Sequence, residues 1–107
     1  GDPVAVVDIG HDHDVVGRFG GEEFSITLTG LDIGKACALA ERLRSALEAT
    51  QIVFDNGGGE RVITVTASFG VAADSTGRST LDELLAKADA ALYRAKDLGR
   101  NRVECSC

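Results

Sequence analysis

Two glutamates beside two glycines are the residues of this sequence whose types and spacing first suggest chemistry. Gly20-Gly21-Glu22-Glu23 sets a pair of carboxylates on a turn whose glycines let the backbone come close to a ligand. Asp8 ends a short apolar run nearby, so another carboxylate stands at a neighbouring strand end. Carboxylates gathered at strand ends suit a hard cation such as Mg2+, which takes oxygen ligands and often keeps a substrate phosphate among them. On composition alone the same segment also reads as a solvated acidic hairpin. Lys96 and Arg100, four residues apart, project from one face where the last helix ends. There they suit phosphate, although the helix dipole favours cations at that end in any case. His11-Asp12-His13-Asp14 puts two histidines on one face of an extended segment. No third or fourth ligand accompanies them, and a solvated loop is the better reading than a transition-metal site.

The elements that must position these groups are legible from periodicity. Val4 to Ile9 is rich in β-branched residues and reads as a buried strand with Asp8 at its end. Val15 to Leu28 holds two β-type stretches around Gly20-Gly21, the pattern of a hairpin. Asp32 caps a predicted helix whose apolar residues Ala36, Leu39, Ala40, Leu43, Ala46 and Leu47 form one face, with Arg42, Arg44 and Glu48 turned outward. Ile52 to Phe54 and Val62 to Thr66 bracket Asn56-Gly57-Gly58-Gly59, a second hairpin or an open loop. That glycine run is a turn rather than a phosphate cradle, because a strand pattern follows it instead of a helix N-terminus. Thr80 and Glu83 form a capping box for a helix with an apolar stripe of Leu81, Leu84, Leu85, Ala88, Ala91, Leu92 and Ala95. Gly99 stops that helix, and Arg102-Val103-Glu104 adds a last short strand. The economical architecture is an α/β (α+β) sandwich, with helices on one mixed, mainly antiparallel sheet.

The bulk properties bound the function. A chain of 107 residues with 44% hydrophobic content supports one core, so residues 1–107 are expected to form a single domain. A net charge of −6 repels a nucleic-acid backbone, and nucleic acid is excluded as a partner. No apolar run reaches the length of a membrane span, and no signal peptide is apparent at Gly1-Asp2-Pro3. The three cysteines, Cys37, Cys105 and Cys107, form no even framework and no metal-type spacing. That usage suits a reducing cytoplasm.

Three motifs occur in order: Phe19 to Phe24, Thr66 to Ala72, and Ala88 to Lys96 continued by Gly99-Arg100-Asn101-Arg102-Val103. Together they resemble the GGDEF domain family, the catalytic domain of diguanylate cyclases, from about Asp14 to Val103. The resemblance implies a palm-like fold related to nucleotide cyclases and the condensation of two GTP molecules into cyclic di-GMP with release of two pyrophosphates. It implies two Mg2+ ions per active site, or Mn2+, and a homodimer in which two GTP-loaded sites face each other. By the same resemblance Glu22 is the catalytic residue and a metal ligand. Asp8 and the Ile9 carbonyl are further metal ligands, and Gly20, Gly21, Glu23, Lys96 and Arg100 bind the nucleotide. The domain is expected behind a sensory or receiver module of a larger cytoplasmic bacterial protein.

The match has a gap. Family members carry two helices with guanine-reading side chains after the first strand, whereas this sequence passes from Gly10-His11-Asp12-His13 almost directly to the signature. The block near residues 10–13 is either deleted from the molecule or missing from the sequence in hand. A second alignment puts Gly1-Asp2 on the family's Gly-Asp pair, with a shortened helix over Val4 to Ile9. The gap supports an alternative function, a non-catalytic GGDEF domain that binds nucleotide or dimerises to pass on a signal. Asp14 and Arg42 match the family's inhibitory product site, but His11 stands in place of its first arginine. Histidine lacks the planar fork of arginine, so weak or absent feedback inhibition is expected.

Overall fold

The central strand is the one that carries Asp8. In the computed structural model, which describes residues 3–11, 23–55 and 57–106, strand β1 (Val4–His11) runs between β2 (Glu23–Thr29) and β5 (Ala67–Asp74), antiparallel to both. Helix α1 (Ile33–Ala49) follows β2, and β3 (Gln51–Asp55) with β4 (Glu60–Thr64) forms a separate two-stranded sheet. Helix α2 (Leu81–Asp97) follows β5, and β6 (Val103–Cys105) pairs parallel with β5. The main sheet of the described residues therefore has the order β2-β1-β5-β6, mixed and mainly antiparallel as expected. The strand over Val4–His11 also rules out the alignment that required a helix there.

The two faces of β1 serve different helices. Ala5 and Val7 pack with Ala36 and Ala40 of α1 and with Phe69 and Val71. Val6 packs with Ala72 and with Leu84 and Ala88 of α2. One helix thus covers each side of the sheet, because successive side chains of a strand alternate between its faces. Both helix starts form as their sequences require: Asp32 accepts from Lys35 N at 2.9 Å, and Thr80 Oγ1 from Glu83 N at 3.1 Å.

Helix α2 lies unusually close to β5. A Cβ added at Gly70 would stand 2.2 Å from both the Ala88 carbonyl oxygen and the Leu92 nitrogen, and 2.8 Å from Leu92 Cα. These are backbone atoms and cannot rotate away. Gly70 is paired with Asp8, so this contact also sets the height of α2 over the site.

Five expectations need correcting. The inward face of α1 carries Ala36, Ala40 and partly buried Ile33, Cys37 and Leu47, while Leu43 is exposed. Arg44, expected to point outward, continues the inward stripe, with its side chain only 16% exposed. On α2 the stripe holds except at Leu81, which is exposed in the first turn. Ala67–Asp74, to which no strand was assigned, is an inner strand of the main sheet; its Ala, Ser and Gly residues lack the β-branched signal but fit beneath α2. Cys37 and Cys105 are joined in a disulfide that links α1 to β6, which corrects the expectation that the cysteines form no framework and suit a reducing compartment.

Replacing Gly70 with Ala is expected to destabilise the domain by about 3 kcal/mol or more, since the clash is with fixed backbone; urea denaturation checks this. Because the bond between Cys37 and Cys105 closes a long loop of the unfolded chain, Cys105→Ser is expected to lose about 2–4 kcal/mol relative to the oxidised protein. The difference should vanish when both proteins are denatured in dithiothreitol.

Candidate functional site

The side of β1 that packs on α2 continues past Val6 to Asp8 and Gly10. Across the sheet Ser25 stands opposite Asp8, and Glu23 opposite Gly10. Ser25 Oγ donates to Asp8 Oδ1 at 2.6 Å. Asp8 is 6% exposed. Burial raises its pKa above the ordinary carboxylate value; the Ser25 hydrogen bond opposes that rise, and the negative charges of Asp89 and Glu23 add to it.

Lys96 reaches this face from the last turn of α2 by crossing Gly10. A Cβ at Gly10 would lie 2.9 Å from Lys96 Cε and 3.1 Å from Nζ. Lys96 Nζ donates to Glu23 Oε1 at 2.5 Å. The pair is partly solvated, and such pairs contribute at most about 1 kcal/mol, so a polyanion can displace the carboxylate. Lys96, Arg100, Tyr93 and Asp97 line one open pocket. The fold therefore brings Lys96 and Arg100 together, and Glu23 to Lys96. A second hollow, on the α1 side, is lined by Val7, Ile26, Leu28, Leu39, Ala40 and Leu43 and presents no group that does chemistry.

Gly20, Gly21, Glu22 and Asp14 lie outside the described residues. Ile9 sits inside β1, paired with Phe24 on one side and Phe69 on the other. Arg42 is exposed on α1. Among the described residues no three His, Cys, Asp or Glu side chains gather as a metal set. Asp8 by itself suits a hard cation: its buried charge is opposed by desolvation and by two neighbouring carboxylates, and a bound cation would offset both. Sequence reasoning missed Ser25 and Asp89. Each carried a signal, since Ser25 shares a strand face with Glu23, and Asp89 lies two helical turns before Lys96. Among the described residues no helix is long and apolar enough to cross a membrane.

The sequence matches, over residues 5–102, the family model described as diguanylate cyclase, GGDEF domain. It is 38% identical over 93 residues to diguanylate cyclase A of Treponema denticola, covering 87% of this chain and 24% of that protein. With diguanylate cyclase DosC of Shigella sonnei it shares 42% identity over 100 residues, 94% of this chain and 21% of that protein. The chain thus spans about a quarter or less of the length of these relatives. The fold is similar to the active GGEEF domain of a diguanylate cyclase from Vibrio cholerae, with a TM-score of 0.78 and 22% identity, over 98% of this chain and 83% of that one.

The raised pKa of Asp8 has a consequence for stability. Above its folded pKa the ionised carboxylate weighs on the folded state. As pH falls through that value the folded protein takes up a proton before the unfolded chain does, and the penalty is relieved. Asp8→Asn keeps an oxygen for Ser25 and is expected to melt higher than the parent at pH 7.5 without metal. The gain should shrink towards pH 4, which thermal scans across that range would test.

Proposed function

Because this chain belongs to the GGDEF domain family, we propose that it is the catalytic domain of a diguanylate cyclase, condensing two GTP into cyclic di-GMP with release of two pyrophosphates. The observation that carries the reading is the convergence of Asp8, Lys96 and Arg100 at one end of the α2 side of the sheet, next to the strand that follows the signature. Lys96 and Arg100 hold the triphosphate, and Glu23 gives way to it. Gly20 and Gly21 admit the nucleotide close to the backbone. Asp8, the Ile9 carbonyl and Glu22 would hold Mg2+, or Mn2+ in its place. That cation would lower the pKa of the attacking ribose hydroxyl and neutralise charge developing on the phosphates. Glu22 takes the proton from the 3′-hydroxyl. One domain presents one GTP, so two copies must face each other as a homodimer. The substrate places the domain in the cytoplasm, as one part of a longer signalling protein. Asp14 and Arg42 are remnants of a product site that binds cyclic di-GMP weakly.

A second reading is favoured by a specific observation. β1 and β2 are direct neighbours, with Gly10 opposite Glu23, and only residues 12–22 connect them. A domain without the guanine-reading helices would bind nucleotide or a second copy without turnover.

GTP turnover in Mg2+ separates the two. The cyclase reading expects cyclic di-GMP by chromatography and a loss of at least about 100-fold in Glu22→Ala. GTP binding with no product from the parent chain would establish the second reading.

A further inference from the structure

The turn that presents Arg100 is built from residues that resist its shape. Arg100 and Asn101 have φ of 65° and 47°, the left-handed region, and they are the non-glycine residues with positive φ among those described. Asparagine tolerates this region, whereas for arginine the β-carbon makes it costly. The conformation must be imposed from outside. Part of it is ordinary helix termination: Leu98 N donates to the Arg94 carbonyl and Arg100 N to the Ala95 carbonyl, each at 2.9 Å, after which Gly99 is also left-handed.

The remaining constraint comes from α1 and β5 through Asn101. Its side-chain carbonyl accepts from Arg44 Nη1 at 2.9 Å, and its amide nitrogen donates to Glu48 Oε2. Its backbone N–H donates to Ser68 Oγ at 3.1 Å, and Ser68 is fully buried. Arg44 is itself held by Glu41 and Glu48, so the amide is gripped by a donor and an acceptor that are both fixed. One residue after this clamp, the Arg102 carbonyl accepts from Phe69 N at 2.8 Å and the chain enters β6. The backbone on both sides of Arg100 is thus tied down, and its side chain is delivered to the pocket it shares with Lys96.

We infer that Asn101 is a positioning residue for Arg100: its amide, clamped between Arg44 and Glu48 of α1, holds the left-handed turn that sets Arg100 beside Lys96. The inference rests on the reading of that pocket as a triphosphate site. It makes α1, which supplies no residue to the pocket, a determinant of phosphate affinity.

Inorganic tripolyphosphate is the probe, since it reports on the cations and needs no guanine site. Its affinity would be measured by calorimetry for the parent, Arg100→Ala, Asn101→Ala and the double variant. Asn101→Ala is expected to weaken binding about five- to tenfold, and to weaken it no further in the Arg100→Ala background. Asn101→Gly, which accepts the left-handed turn but has no amide to clamp, should bind as weakly as Asn101→Ala while remaining folded by circular dichroism. Equal losses from Asn101→Ala with and without Arg100, or parental affinity in Asn101→Gly, would overturn the positioning role and leave the triphosphate reading intact. A parent chain that binds no tripolyphosphate, or binds it equally well without Arg100, would overturn the triphosphate reading and this inference with it.

Discussion

The close approach of α2 to β5 at Gly70 is the constraint on which the rest of the structure depends. Backbone touches backbone there, and no side chain of any size would fit between. The helix is held low over the sheet, and its small residues Ala88, Ala91 and Ala95 are fully buried. Because Gly70 pairs with Asp8, the same contact brings Asp89 near Asp8 and the last turn of α2 over Gly10. Two glycines on adjacent strands thus do complementary things. Gly70 admits the helix backbone, and Gly10 admits the side chain of Lys96.

The site that results is electrostatically unfavourable in the form described. Asp8 is buried, bonded to Ser25 and beside two other carboxylates, and Lys96 is turned to Glu23. A protein selected only for stability would place an amide at Asp8. On the proposed function, the charges that arrive with a ligand are a cation at Asp8 and a polyanion at Lys96 and Arg100. Both would replace weak or repulsive internal pairings with stronger ones.

The opposite side of the sheet does mechanical work. α1 supplies nothing to the pocket, yet it is tied to the C-terminal segment twice, through Arg44 and Glu48 to Asn101 and through Cys37 to Cys105. The two ties flank the turn and the strand that follow α2. They fix the far side of the segment whose near side carries Arg100, and a displacement of α1 would be felt at the pocket of Lys96 and Arg100.

The sequence by itself determined the family, both helices with their caps, the strand carrying Asp8 and the pairing of Lys96 with Arg100 as cations, and it left the segment that became the β3-β4 hairpin open between a hairpin and a loop. These are local properties: β-branched runs, three- and four-residue periodicity, Thr80 and Asp32 at helix starts, and a signature of contiguous residues. Tertiary structure alone decided the features that depend on parts of the chain distant from one another. The inner strand Ala67–Asp74 carries little β signal because its small residues are chosen for the helix above it, and that helix is not adjacent in sequence. Arg44 read as a surface cation because a charge on a helix is ordinarily solvated, and its inward place is explained only by Asn101, 57 positions later. The bond between Cys37 and Cys105 spans 68 positions, a proximity that spacing cannot reveal. Ser25 and Asp89 became part of the site for the same reason: register and helix height, set at Gly70, decide which side chains meet.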